Sequence, residues 1–143
     1  MMPIELVRST ALTDTVPYAY AAVTPSGRLV FTAGACPLDH DGAVVSPGDV
    51  AAQTKQVMAN LAMALGAAGA GLTDVAKTTV YVASGSRTDL LTAWQVVRDA
   101  FGDHDAPSTL LGVAVLGYPD QLVEVEAVAV TSGGPRPRTG PGS

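Results

Sequence analysis

The chain has 143 residues, a length that suits one domain with a substantial hydrophobic core. Its formal net charge of −5 argues against nucleic acid as a main partner, because phosphate contacts need a basic face. No apolar run approaches the roughly 20 residues of a membrane span, and the N-terminus lacks the layout of a signal peptide. We therefore expect a soluble, cytoplasmic protein without membrane contact. Hydrophobic residues make up 48% of the chain, and an oligomer interface is the expected place to bury that excess.

The residue types that usually carry metal or redox chemistry are sparse. Cys36 is the single cysteine, so neither an internal disulfide nor a cysteine-rich metal site can form. The two histidines, His40 and His104, lie far apart and lack the spacing of metal ligands. We therefore expect no metal ion.

The first half of the chain predicts two short strands and one helix. Residues 18–23 and 28–33 are candidate strands rich in β-branched and aromatic side chains. A helix start follows, in which Ser46 caps the first turn and Pro47 occupies a position that needs no N–H. Apolar residues then recur at helical spacing until a group of glycines begins at Gly66.

The second half predicts another strand and another helix. Residues 75–83 are dense in β-branched side chains, which favours a strand. The capping pattern recurs at Ser86, and apolar residues follow at helical spacing from Leu90 until Gly102 ends the helix.

Two apolar runs close the folded part, at 109–116 and 122–130. The turn-forming residues 117–120 separate them, which predicts a β-hairpin or a hairpin-like pair. The second run alternates, so its side chains divide between two faces. The face that we expect to be core carries Val123, Val125, Ala127 and Ala129; the other carries Leu122, Glu124, Glu126 and Val128.

These elements predict an α+β fold with a mixed sheet. Two helices, each with one apolar stripe and each followed by a strand, should cover a single sheet face. The other face remains apolar, and copies of the chain can bury it against one another. Residues 1–130 are expected to form one domain, and the Pro- and Gly-rich residues 131–143 a disordered tail.

Six fragments of the chain match one family pattern in order and spacing. They are 17–18 (PY), 31–34 (FTAG), 49–54 (DVAAQT), 74–82 (DVAKTTVYV), 112–114 (GVA) and 122–129 (LVEVEAVA). Together they span nearly the whole chain and resemble the Rid (reactive intermediate deaminase, YjgF-like) family.

The resemblance implies a chorismate-mutase-like fold and a homotrimer with a small-molecule cleft at each subunit interface. In the deaminase branch an arginine holds the carboxylate of a reactive enamine or imine. A positioned water, helped by a backbone carbonyl and a glutamate, then releases ammonia, and no cofactor is needed. The matching positions here are Tyr18 and Gly34 for substrate binding and Glu124 for catalysis.

The chain departs from the family pattern at the arginine. Anchored on residues 112–114, the arginine falls on Ser108, or on Thr109 if the alignment shifts by one residue. The pocket serine falls on Ala33. Losing a charge-assisted fork costs about 2–5 kcal/mol for a buried carboxylate. The chain thus resembles the arginine-less branches of the family. Because the charge-assisted fork is lost, we do not expect efficient deamination of 2-aminoacrylate, and we expect Ala33, Ser108 and Thr109 to line a cleft with room for a neutral or larger substrate.

Several interpretations stay open at this point. His104 either replaces the missing cation or is a plain surface histidine, and Cys36 is expected to be a small buried thiol rather than a nucleophile. Glu126 is expected to face solvent or a subunit interface. Three functions remain: an imine or enamine deaminase, a trimer that binds a small metabolite without turnover, and an endoribonuclease. The acidic charge and the lack of a histidine pair disfavour the last.

Overall fold

The computed structural model describes residues 4–132, which form six strands and two α-helices. Apart from its first two residues, the predicted tail lies outside the described residues, and the last strand includes Thr131. A 3-10 turn at Leu72–Asp74 leads into the fourth strand. The strands are β1 Glu5–Val7, β2 Ala21–Val23, β3 Arg28–Phe31, β4 Val75–Val82, β5 Ser108–Gly112 and β6 Val123–Thr131; the helices are α1 Val50–Ala67 and α2 Arg87–Phe101.

A mixed four-stranded sheet has the strand order β3-β6-β4-β5, and β1 and β2 form a separate antiparallel pair. β6 runs antiparallel to both of its neighbours, whereas β5 is parallel to β4. The predicted hairpin of β5 and β6 is therefore wrong, because β4 lies between them. A crossover through α2 places β5 parallel to β4 at the sheet edge, as such connections normally do. The connection 113–122 then passes the end of β4, and β6 enters between β3 and β4.

Asp49, rather than the predicted Ser46, caps α1. Its side chain accepts a hydrogen bond from the backbone N–H of Ala52 at 2.9 Å. Ser46 has a φ of 44° and Gly48 a φ of 83°, so both belong to a turn before the helix. The prediction for α2 was closer: Ser86 is its N-cap residue, although without a side-chain bond, and Gly102 ends it at a φ of 62°.

The hydrophobic core lies between the two helices and one face of the sheet. The predicted alternation of β6 is confirmed, because its core-facing side chains are all buried. These are Val123, Val125, Ala127 and Ala129. We call the other side of the four-stranded sheet the open face, since no helix of residues 4–132 covers it. Neither α-helix in the described residues is long and apolar enough to cross a bilayer.

A buried glutamine joins α1 to the beginning of β6. The Gln53 amide donates to the carbonyl of Asp120 at 2.9 Å and accepts from the backbone N–H of Leu122 at 2.8 Å. Its side chain is fully buried. Gln53 therefore fixes the backbone at Leu122, where the chain enters β6. Leu122 lies two residues before Glu124.

Candidate functional site

A strip of polar side chains crosses three neighbouring strands on the open face. Within the sheet, Glu124 pairs with Tyr81, and Thr79 pairs with Glu126 on one side and Thr109 on the other. Because side chains alternate along a strand, the residues at these positions share one face. We call this set the polar strip; its members are Lys77, Thr79, Tyr81, Thr109, Glu124 and Glu126.

Glu124 is held at one of its two carboxylate oxygens. Oε1 accepts hydrogen bonds from Nε2 of Gln121 at 3.1 Å and from Sγ of Cys36 at 3.4 Å. Gln121 is 4% exposed, and its amide also contacts the carbonyl of Val123 and the N–H of Tyr118. The Glu124 carboxylate therefore has a fixed orientation, with both donors assigned to Oε1.

Gly34 provides the space in which this carboxylate lies. A Cβ atom at Gly34 would lie 2.1 Å from Oε2 of Glu124 and 2.5 Å from its Cδ. Ala35, next in the chain, forms an isolated antiparallel bridge with Val125. The backbone at residues 34–35 thus runs directly against the β6 segment that carries the glutamate.

Cys36 is a half-buried thiol that donates to Glu124. Burial raises its pKa to about 11, and the hydrogen bond to Glu124 and the charge of that carboxylate act in the same direction. A thiol with this pKa is protonated at neutral pH and is a poor nucleophile. Its hydrogen bond restricts the orientation of the Glu124 carboxylate.

Glu126 is engaged by a neighbour on β4. The Tyr81 hydroxyl donates a hydrogen bond to Oε1 of Glu126. This bond is the main cause of a raised pKa of Tyr81, because the carboxylate stabilises the protonated phenol. Nothing in the spacing along the chain indicated this pairing, since the two residues are brought together by the strand register.

The structure distinguishes between the two positions proposed for the family arginine. Ser108 lies on the helix-covered face, where its Oγ accepts a hydrogen bond from Thr78 at 2.7 Å. Thr109 lies on the open face, and its hydroxyl accepts from Nζ of Lys77 at 2.6 Å. Of these two positions, Thr109 is therefore the one on the same face as Glu124.

Tyr18 does not join the polar strip within one protomer. Its ring makes edge contacts with Trp94 of α2, at a centroid distance of 6.4 Å, and with Tyr20 at 6.0 Å. Arg8 donates to the Tyr18 carbonyl at 2.8 Å and forms an ion pair with Asp105 at 3.0 Å. Tyr18 is thus placed beside α2.

His104 also lies away from Glu124. Its Nε2 is 2.7 Å from the carbonyl oxygen of Val75, and its ring is tilted against that of Phe101 at the end of α2. Within one chain, His104 therefore does not replace the missing arginine on the open face. Ala33 is exposed in the segment between β3 and Gly34. A single chain therefore brings together Gly34, Thr109 and Glu124 on the open side, and leaves Tyr18 and Ser108 elsewhere.

The described range contains no group of three or more His, Cys, Asp or Glu side chains that could hold a metal ion. The acidic residues of the polar strip are instead engaged by donors from Tyr81, Gln121 and Cys36.

Two helices on one face of a mixed sheet, with an oriented glutamate on the other, define an α+β protein of the chorismate-mutase-like class. A family model described as Endoribonuclease L-PSP matches residues 9–131. The chain belongs to the Rid (YjgF-like) family that this description covers.

Individual relatives agree with this assignment. The chain is 34% identical over 110 residues to a RutC family protein of Pyrococcus abyssi, covering 77% of this chain and 84% of that protein. It is 31% identical to the 3-aminoacrylate deaminase RutC of Acinetobacter baylyi, over 77% of this chain and 85% of the relative. The crystal structure of the conserved Rid family protein YyfB from Yersinia pestis has a TM-score of 0.83 and 32% identity, and the match covers 91% of this chain and all of that chain (100%).

Proposed function

We propose that this protein is a homotrimer that hydrolyses a small reactive imine or enamine in clefts between its subunits. The observation that carries the proposal is Glu124, whose carboxylate is oriented by two donors at one oxygen and lies against the backbone of Gly34. A relative named as a 3-aminoacrylate deaminase supports the reaction type. The proposed reaction uses water and the side chains of the protein, without a cofactor.

The apolar open face supports the trimer. Leu29 and Phe31 alternate onto this face of β3 and are 60% and 70% exposed. Large apolar side chains grouped on one sheet face are typical of a subunit interface. Packing of three such faces would bury them and enclose the polar strip at the seams. It would also allow Tyr18 from a neighbouring copy to approach Glu124, which it does not do within one chain.

The proposed reaction is the addition of water to a carbon–nitrogen double bond. The free oxygen of Glu124 accepts a proton from water as the water oxygen bonds to the imine carbon. The same carboxyl group returns that proton to the nitrogen, which completes a carbinolamine. In a second transfer it moves the hydroxyl proton of the carbinolamine to the amino nitrogen, and the carbon–nitrogen bond breaks as the carbonyl forms. One imine and one water thus yield one ketone or keto acid and one ammonia. Gln121 and Cys36 keep the carboxylate in position for both transfers.

The test generates imines in situ with an amino-acid oxidase and 2-aminoacrylate with a serine dehydratase, and follows ammonia and keto-acid release. Glu124→Gln should lower kcat/KM by about 100-fold or more, the usual contribution of a positioned acid–base group. Glu5→Gln is the matched control, because it makes the same change at an exposed strand residue outside the polar strip. If the wild-type trimer accelerates no imine beyond the buffer rate, the catalytic proposal fails, and binding without turnover takes its place.

A further inference from the structure

A lysine occupies the neighbourhood of the missing arginine. Lys77 extends from β4 towards β5, where its Nζ donates to the Thr109 hydroxyl at 2.6 Å. Thr109 is the one on the open face among the two positions, Ser108 and Thr109, that the resemblance offers for the arginine. Spacing along the chain does not indicate this contact, because the strand register sets the direction of the Lys77 side chain.

Lys77 is the one lysine or arginine that residues 4–132 place on the open face. Three of the other cations lie on the helices, and Arg8 is paired with Asp105. Arg28 alternates onto the same side of β3 as Val30, which packs against the core. The other cations are Arg8, Arg28, Lys55, Arg87 and Arg98.

The ammonium of Lys77 keeps unused hydrogen-bonding capacity. A lysine has three N–H donors, and Thr109 takes one of them. Glu126 lies two residue pairs along on β6, opposite Thr79, yet no ion pair within 4.0 Å joins it to Lys77 among the described residues. Glu126 instead accepts from Tyr81. Lys77 lines a recess of about 200 Å³ together with Phe31, Thr79 and Glu126.

We propose that Lys77 and Thr109 bind the anionic group of the substrate, so that the substrates are small imines or enamines that carry a carboxylate. This inference rests on the proposed function and replaces the expectation of a neutral substrate. Two strand spacings and two residues separate Thr109 from Glu124 in the sheet, which puts their Cα atoms on the order of 12 Å apart. Two side chains and a small molecule can span that distance.

An ammonium binds a carboxylate differently from a guanidinium. It is a compact charge without the planar fork that fixes both carboxylate oxygens. We call Lys77 and Thr109 together the anchor. It therefore tolerates carboxylates at several angles, and it should select substrates by charge more than by shape. The Thr109 hydroxyl accepts from the ammonium, and its own proton remains available to the same anion.

The kinetic test compares Lys77→Met with Lys55→Met, which removes an exposed lysine from α1. Each variant is assayed with a carboxylate-bearing imine and with its uncharged carboxamide analogue. Lys77→Met should lower kcat/KM by about 10- to 100-fold for the carboxylate alone, the range of a lost bond to a charged group. Thr109→Val should cause a smaller loss of the same kind. Equal effects on both substrates, or none, would overturn the anchor.

A binding measurement separates the failure of the anchor from the failure of the reaction. Pyruvate and pyruvamide are titrated into the protein and followed by NMR. Pyruvate should bind to the wild type and to Lys55→Met, but at least tenfold more weakly to Lys77→Met. Binding that depends on Lys77 in a protein without imine turnover would uphold the anchor and refute the catalytic proposal. Equal pyruvate binding by a folded Lys77→Met protein, or none by the wild type, would refute the anchor. Lys77→Gln serves if the methionine variant does not assemble.

Discussion

A Cβ atom at Gly34 would lie 2.1 Å from Oε2 of Glu124, well inside van der Waals contact. The glycine is therefore required by the neighbouring carboxylate, although its own backbone conformation is open to other residues. The contact involves the end of a flexible side chain, so a substitution displaces Glu124 more readily than it disrupts the sheet.

Gly34→Ala should consequently lower activity while leaving the fold nearly intact. We expect kcat/KM for imine hydrolysis to fall by at least about tenfold, because small misplacements of a catalytic group are costly. Thermal unfolding should shift little. Gly117→Ala, where a Cβ would meet nothing within 4 Å, is the matched control. Unchanged activity in Gly34→Ala would mean that this carboxylate position is not the reactive one.

Gln121 should act as a positioning residue for Glu124. Gln121→Leu removes the donor to Oε1 and leaves the N–H of Tyr118 without its side-chain acceptor. The loss of buried hydrogen bonds costs about 1–3 kcal/mol of stability. We expect kcat to fall while KM changes little, a split that destabilisation alone does not produce. Gln95→Leu, on the exposed side of α2, should alter neither constant.

The thiol of Cys36 should react slowly at neutral pH. The pKa of the Cys36 thiol is about 11, against an ordinary value of 9.0. Because the thiolate is the reactive form, the rate of alkylation by iodoacetamide should increase up to about pH 11. Removing the negative acceptor by Glu124→Gln should lower that pKa. The same shift favours the folded state below about pH 9, and this contribution is lost as the pH rises towards 11. Rapid alkylation at pH 7 would contradict the buried, protonated thiol.

Assembly should depend on the open face of β3. Phe31 is 70% exposed in one chain, and Phe31→Asp would place a charge in the proposed subunit interface. Light scattering should then report a monomer mass, with the helical content retained in circular dichroism. Leu91→Asp, a comparably exposed apolar residue on α2, should leave the trimer mass unchanged. A trimer of unaltered stability in Phe31→Asp would place the interface elsewhere.

Arginine should be tolerated at Thr109 and not at Ser108. Thr109→Arg directs a guanidinium onto the open face, where it should increase turnover of carboxylate-bearing enamines. Ser108→Arg forces the charge towards the helices, beside Thr78, and should destabilise the fold by several kcal/mol. Thermal melting and enamine turnover of the two variants decide between the two alignments. Gain of activity at Ser108 alone would restore the original anchoring.

Local patterns predicted the helices and the faces of β6 well. The spacing of apolar residues located α1 and α2, and the alternation around Glu124 assigned the buried side chains correctly. These features depend on periodicity within one element, which the chain carries directly.

The pairing of strands with one another could not be predicted from such patterns within one element. The position of β4 between β5 and β6 depends on the crossover through α2, and nothing in the turn residues 117–120 records it. An error of one residue moves a side chain to the opposite face of a strand, which is why Ser108 and Thr109 were not distinguished. The contacts of Lys77 and Gln121 depend on that same register.

β6, the last strand within residues 4–132, lies in the interior of the sheet. β6 is the partner of both β3 and β4, and β3 has no other neighbour within the four-stranded sheet. During synthesis, the ribosome therefore releases the other helices and strands of residues 4–132 before β6, which joins β3 to β4. Until that moment β3 and one edge of β4 present unpaired backbone, which invites aggregation. A premature stop before Val123 would therefore produce two unconnected halves of a sheet and no smaller working version of the protein.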